Sequence, residues 1–375
     1  MKRLIQLFLL LPLLWVAGCQ KEVSEQRIEA TGTAGERTVK IQATLAEPKA
    51  VSKALVLGES FFNGFDYGIF VCDHGTPYSR HKQNSWNLKA SYQINGDNNE
   101  GVWSYQYIDN LREGTLTSNQ YENITITDKQ DNDNLHVTAD LFAYAPYVPQ
   151  AYKNDPTRIP FTIARDITKQ NDLMYAEENG DPAKNKGLDP LTEGDDPLEV
   201  SFTFKHALAL LAFDIQELNN NGDSDASTYM LNSIKVNSVN AETGSTSKLY
   251  NGGYFNALDG SFNCAGYEAE SITVIQGSGF VIYPNNQRLA YMVLVPTEIE
   301  DNELEFVFTM NTGAPMELHH YRLKKADLLH SDGSRAGFKG GYKYTFHFTL
   351  DNYLYLNDIE ISDSWEEGIL EKIAI

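Results

Sequence analysis

The chain has 375 residues, 42% of them hydrophobic, which is enough for sizeable cores and at ordinary domain sizes points to two domains. Its formal net charge is −21, so its surface repels nucleic acid and anionic lipid headgroups, and binding to either is excluded on charge. With 21 Tyr, 18 Phe and 27 Gly, the composition favours strands and turns over helices.

The first element is Met1–Cys19, MKRLIQLFLLLPLLWVAGC. Lys2 and Arg3 form a basic head, and Leu4–Val16 is an apolar run broken only by Gln6 and Pro12. A stable membrane-spanning helix takes about 20 apolar residues, so this run is too short. Its charged, apolar and small-residue regions are those of a secretory signal. The closing Val16-Ala17-Gly18-Cys19 resembles a bacterial lipobox. Residues 1–18 are therefore expected to be a lipoprotein signal peptide, with Cys19 lipidated. The alternative is an ordinary signal peptide in which Cys19 is incidental. Without Lys2 and Arg3 the chain is two charges more negative.

Residues 19–37 are polar and aperiodic, a flexible tether. Val39, Ile41, Ala43 and Leu45 then alternate with polar residues, the period of a half-buried strand. Phe65–Cys72 is a second strand, closed by the turn Asp73-His74-Gly75. Trp86–Ile94 and Val102–Ile108, joined through Asn95-Gly96-Asp97-Asn98, predict a hairpin. Short strands are expected at Ile124–Thr127, Leu135–Val137, Leu141–Tyr147 and Asn171–Ala176. Leu198–Leu218 is apolar on both parities at its centre; a helix fits its Ala and Leu content, but the flanking patterns favour one or two buried strands. Asn219–Asp225 (NNNGDSD) is the clearest internal linker and sets the expected domains at residues 38–220 and 226–375.

The second half repeats the alternation over Leu231–Val239, Ser271–Ile282, Tyr291–Val295, Leu304–Met310, Glu317–Leu323 and Tyr342–Leu350. The pattern fits an all-β fold of two sandwiches, each of about seven short strands. The tail carries Ile359, Ile361 and Trp365, then Ile369, Leu370, Ile373 and Ile375.

No G-x-S-x-G elbow, Walker loop, dinucleotide fingerprint or HExxH motif is present, so neither enzymatic activity nor a cofactor is expected. His319-His320, with His330 nearby, point to opposite faces if on a strand and suit one metal ion poorly. The Asp128/Asp131/Asp133 and Asp223/Asp225 loops lack the glycine and terminal glutamate of an EF-hand and are expected to be solvated turns. His206, in FKHALALL, suits a packed histidine bonded to backbone. Besides Cys19, Cys72 and Cys264 belong to no CxxC or CxxH pair and are expected to be buried free thiols. Trp86 and Trp103 with neighbouring tyrosines supply the alternative reading of the whole chain, a monomeric surface glycan-binding lipoprotein.

The lipobox, FDYGIFV (65–71), LFAYAP (141–146), DLMYA (172–176), FTFKHAL (202–208), LVP (294–296), GGYKY (340–344) and the closing segment from Ile359 to Trp365 with Glu367-Gly368 occur in one order along the chain. In that order they resemble the fimbrillin family of Bacteroidetes, the lipoprotein pilins of type V pili. The resemblance implies two transthyretin-like Greek-key β-sandwiches in tandem, without enzymatic activity, in a structural or adhesive subunit that reaches the cell outer membrane through its N-terminal lipid. It implies other pilin subunits as partners, joined when a protease removes the first strand and a strand of another subunit fills the groove. Val39, Ile41, Ala43 and Leu45 match the removable strand, and Ile369, Leu370, Ile373 and Ile375 are donor-strand candidates unless that tail packs on its own domain. Processing in the family falls at an arginine after the first strand. Here no arginine lies between Arg37 and Arg80, which leaves Lys49 and Lys53 as processing candidates, since a cut after Arg37 would keep the strand in place.

Overall fold

Strands with one apolar face bury it only against another layer, and in this chain the layers are sheets. The computed structural model describes residues 36–45, 66–77, 87–94, 101–109, 117–121, 124–127, 137–149, 151, 155–178, 184–191, 196–218, 229–239, 249–276, 280–282, 289–299, 303–311, 316–328, 337–351, 353–363 and 365. The first ten strands are β1 (Glu36–Leu45), β2 (Asp66–Asp73), β3 (Leu88–Ile94), β4 (Gly101–Asp109), β5 (Thr117–Tyr121), β6 (Ile124–Thr127), β7 (Ala139–Ala145), β8 (Ile159–Thr162), β9 (Met174–Glu177) and β10 (Leu198–His206). All except β8 share one sheet of order β5-β4-β3-β2-β7-β9-β10-β1-β6.

That sheet is folded over on itself. Strands β2 and β10 stand three positions apart, roughly 14 Å in a flat sheet. Yet the rings of Tyr67 and Phe204, one from each, lie 5.5 Å apart. Its two arms thus enclose one core, with Ile69 and Leu141 on one side and Ile41, Ile126 and Phe202 on the other. The N-terminal layer pair is a single bent sheet rather than two separately paired ones, and the short strand β9 links its arms.

The remaining strands are β11 (Ala209–Glu217), β12 (Met230–Ser238), β13 (Leu249–Tyr250), β14 (Gly252–Phe255), β15 (Phe262–Asn263), β16 (Glu268–Ala269), β17 (Ser271–Ile275), β18 (Leu289–Leu294), β19 (Thr297–Glu298), β20 (Leu304–Asn311), β21 (Glu317–Arg322), β22 (Gly337–Phe338), β23 (Lys343–Leu350) and β24 (Leu354–Ser362). Two four-stranded sheets, β18-β11-β23-β24 and β17-β12-β20-β21, form a sandwich. Phe213 stands at its centre, 5.2 Å from the Phe306 ring and 5.5 Å from that of Phe308. Edge-to-face pairs of this kind contribute about 0.5–1.5 kcal/mol beyond the area they bury.

Residues Leu198–Leu218 are two strands, and hydrogen bonding changes sheet at Ala207-Leu208. The expected divide at residues 219–225 lies outside the described residues. Apolarity on both parities follows from burial on both faces. Leu208, Leu210 and Ala212 enter a third core shared by the two halves, whereas Ala209, Leu211 and Phe213 face the sandwich interior. Strand β2 is read the same way: Tyr67, Ile69 and Val71 face the N-terminal core, and Phe70 and Cys72 the shared one. Gly68 between them lets Tyr144 lie across the strand, since a Cβ there would fall 1.8 Å from that ring. The halves are also joined by main-chain pairing, β8 running antiparallel to β14 with Pro160 opposite Tyr254. Three expected strands are shorter or displaced: the one over Ser271–Ile282 ends at Ile275, the one over Asn171–Ala176 runs from Met174 to Glu177, and Val137 precedes a strand that starts at Ala139.

Candidate functional site: the first-strand slot and the junction behind it

Strand β1 is an interior strand, held on both sides. It runs parallel to β10, from Val39 opposite Leu198 to Leu45 opposite Phe204. On its other side it runs antiparallel to β6, from Glu36 opposite Thr127 to Val39 opposite Ile124. Val39 and Ile41 are 1% and 5% exposed, inserted in the N-terminal core, with Ala43 packed at its margin. Among the described residues, β6 pairs with no strand other than β1. Taking β1 away therefore bares an edge of β10, empties two side-chain pockets and detaches β6. Only an extended segment with apolar residues at alternate positions can restore both ladders and both pockets at once.

Arg37 lies inside β1, opposite Ile126, and its guanidinium donates to the Asp196 carbonyl. Its peptide bond is part of a ladder, whereas proteases bind extended chain free of such pairing. Leu45 ends the strand. Cys19, Lys49, Lys53, Ile369, Leu370, Ile373 and Ile375 lie outside the described residues.

The slot ends at the junction between the halves, and here the sequence missed an arrangement. His206, the last residue of β10, is two positions beyond the Phe204 that faces Leu45. Its Nδ1 is 2.7 Å from Asp172 Oδ2, so its partner is a carboxylate rather than the expected backbone group. The Trp365 indole stacks on the imidazole at 4.0 Å and 12°. Trp365 is 3% exposed and follows β24, so the stack fastens the exit of the last strand to the N-terminal sheet. Asp172 Oδ1 and Trp365 Nε1 are buried and without a hydrogen-bond partner among the described residues. Nearby, buried Gln170 receives the Val293 N–H at 3.0 Å and donates to the Ala164 carbonyl at 2.9 Å, a second tie between the halves.

Burial raises the Asp172 pKa above its usual 3.8, and the adjacent His206, which lowers it, is the weaker influence. The folded state thus holds this proton more tightly than the unfolded chain. The stability Asp172 contributes is fully present below its ordinary pKa and is lost as pH rises through the raised folded value. Asp172→Asn, which cannot ionise, should gain stability relative to the native chain as pH rises from about 4 to about 7. Urea midpoints at the two pH values measure this; a native chain that gains on the variant with rising pH would contradict it.

The other sequence candidates do not converge. His319 and His320 point to opposite faces of β21, their side chains 9% and 50% exposed, as strand parity requires. His330, Asp128, Asp131, Asp133, Asp223, Asp225 and Trp86 lie outside the described residues. Trp103 packs against Tyr67 at 5.6 Å and Tyr92 at 5.1 Å, so one side of its ring is committed to protein. Cys72 and Cys264 are free and buried in the shared core, and burial pushes the Cys264 thiol up to about 11.

A family model described as fimbrillin-like matches residues 93–365 of this chain. Among solved structures, a candidate cell adhesion protein from Bacteroides uniformis is similar at 16% identity and a TM-score of 0.53, with 88% of this chain and 99% of that one covered. A counterpart from Bacteroides ovatus is similar at 15% identity and 0.49, over 88% and 99%. The tip fimbrial protein Mfa3 from Porphyromonas gingivalis, truncated at its C-terminus, is similar at 12% and 0.34, over 79% and 98%. The first of these supports the all-β fold alone. No curated protein matches the chain.

Proposed function

The chain belongs to the fimbrillin-like family, whose place is the cell-surface fimbrium, and from that premise we propose that it is a fimbrial structural subunit joined to other pilin subunits by strand exchange. The observation that carries the reading is the double pairing of β1, which among the described residues is the sole strand bridging β10 and β6. A subunit emptied of β1 has a slot that its neighbour can fill, and because donor and acceptor surfaces differ, the contact propagates instead of closing.

In this reading the protein is exported as a lipoprotein through Cys19 and stands at the outer membrane until a protease cuts after Lys49 or Lys53. One cut then releases the lipid and frees β1. Arg37 is the weaker candidate, because the strand from Val39 to Leu45 would stay in its ladder. The donor we assign is Ile369–Ile375, beyond the Trp365 anchor. The protein's domains follow its sheets, one built on the bent nine-stranded sheet and one on the sandwich that begins with β11.

Folded, unboiled precursor treated with a trypsin-like protease tests this. N-terminal sequencing should read from Ala50 or Ala54, and gels should show SDS-resistant ladders. Cleavage at either lysine that leaves only monomers would sink the strand-exchange reading.

A further inference from the structure

The register places six strand ends, of β11, β12, β20, β21, β23 and β24, at one pole of the C-terminal sandwich. Glu217 closes β11 opposite Leu350, Met230 opens β12 opposite Asn311, and Glu317 opens β21 opposite Met310. Leu350 in turn faces Leu354 across the turn that carries Asp351 and Tyr353, and the Leu218 N–H donates to the Leu350 carbonyl at 2.8 Å. Strand β11 starts at the junction and runs away from it, so this pole is the far end from the slot.

It is also where apolar surface is left bare. Seven large apolar side chains are exposed among the described residues, and five of them belong to these strand ends. They are Leu218, Met316, Leu318, Tyr353 and Tyr355, from 49% to 69% exposed; the other two, Leu191 and Ile275, are elsewhere. Three of the five are chain neighbours of acidic residues or close to one: Leu218 beside Glu217, Met316 beside Glu317, and Tyr353 two positions from Asp351. Those three carboxylates converge on Tyr229, whose phenol is held above its usual pKa first by burial and then by Glu317, Glu217 and Asp351. Among the described residues, strands β21 and β24 are edges, each paired on one side only.

We propose that this pole is a docking surface for a protein partner that presents lysine or arginine among apolar side chains. Bare methionine and tyrosine are among the side chains that interface centres use. The carboxylates decide the sign of the partner. A second copy of the same pole would bring like charges together, in a chain whose formal net charge is already −21. Glu217 Oε2 is itself buried, so a basic partner pairs with Glu317 and Asp351 at the rim while its apolar groups cover the exposed side chains. The surface is remote from β1, so the inference stands apart from strand exchange.

A fluorescent alternating Lys-Leu peptide of about ten residues, read by anisotropy at about 0.15 M salt, is the probe, with Lys-Gly and Glu-Leu peptides as controls. The intact chain should bind the Lys-Leu peptide at least about tenfold more tightly than it binds either control. Leu218→Ser, Met316→Ser and Tyr353→Ser combined should lose about tenfold, and Glu317→Gln with Asp351→Asn should also weaken binding while leaving thermal unfolding unchanged. Equal affinity in the intact chain and the triple variant would overturn the proposal, leaving only adsorption to an acidic surface. Equal binding of the Glu-Leu peptide would overturn the charge assignment. Self-association in sedimentation that the triple variant abolishes would make the occupant a second copy and overturn it too, as would retardation by polysaccharide without any peptide binding.

Discussion

Val39→Ala with Ile41→Ala is expected to destabilise the N-terminal sheet by about 4–6 kcal/mol, since each truncation leaves a cavity where a branched side chain filled the core. The two residues share a face two positions apart, so the pair need not equal the sum of the singles. Lys40, exposed on the opposite face, supplies the control: Lys40→Ala should change stability by no more than about 0.5 kcal/mol. Hydrogen exchange gives the sharper readout. Because β6 pairs only with β1 among the described residues, its amides should lose protection together with those of β1, while the Phe213-centred sandwich keeps its own. If β6 stays protected in the double variant, β1 is not what holds it, and the slot is not the unit from which assembly proceeds.

The second large effect is expected at the junction. Trp365→Ala removes a buried indole stacked on His206 and should cost about 3–5 kcal/mol in urea unfolding. Trp365→Phe keeps an aromatic face against the imidazole and removes a buried N–H that has no partner among the described residues, so its cost should stay below about 2 kcal/mol. The contrast separates stacking from hydrogen bonding. A loss under about 1 kcal/mol for the alanine variant would show that the halves are held by Gln170 and the β8–β14 pairing without this stack.

How far each of these sites could be read in advance depends on the range of the signal. Alternation at period two is a local property, and it marked β1, β12, β20 and β23 within a few residues of their observed bounds, whereas by itself it does not divide Leu198–Leu218 into β10 and β11. The apolar runs FDYGIFVC and HALALLAF carried a further signal, burial on both faces, which became interpretable only once the shared core was known. Strands β8, β13 and β22 are two to four residues long and contain too few alternations to register in a sequence.

By itself the sequence determined the strand-rich class, the apolar face of the first strand, the opposed faces of His319 and His320, and free buried Cys72 and Cys264. Each depends on a residue and its near neighbours, or on composition. Tertiary structure alone decided that Val39 lies between Leu198 and Ile124, that His206 meets Asp172 and Trp365, and that the chain changes sheets at Ala207-Leu208. It also decided which apolar side chains stay bare: Leu318 and Tyr355 fit a strand pattern as well as any core residue does. Alternation separates the two faces of a strand, but which face is covered depends on a second layer assembled from residues far away in the chain.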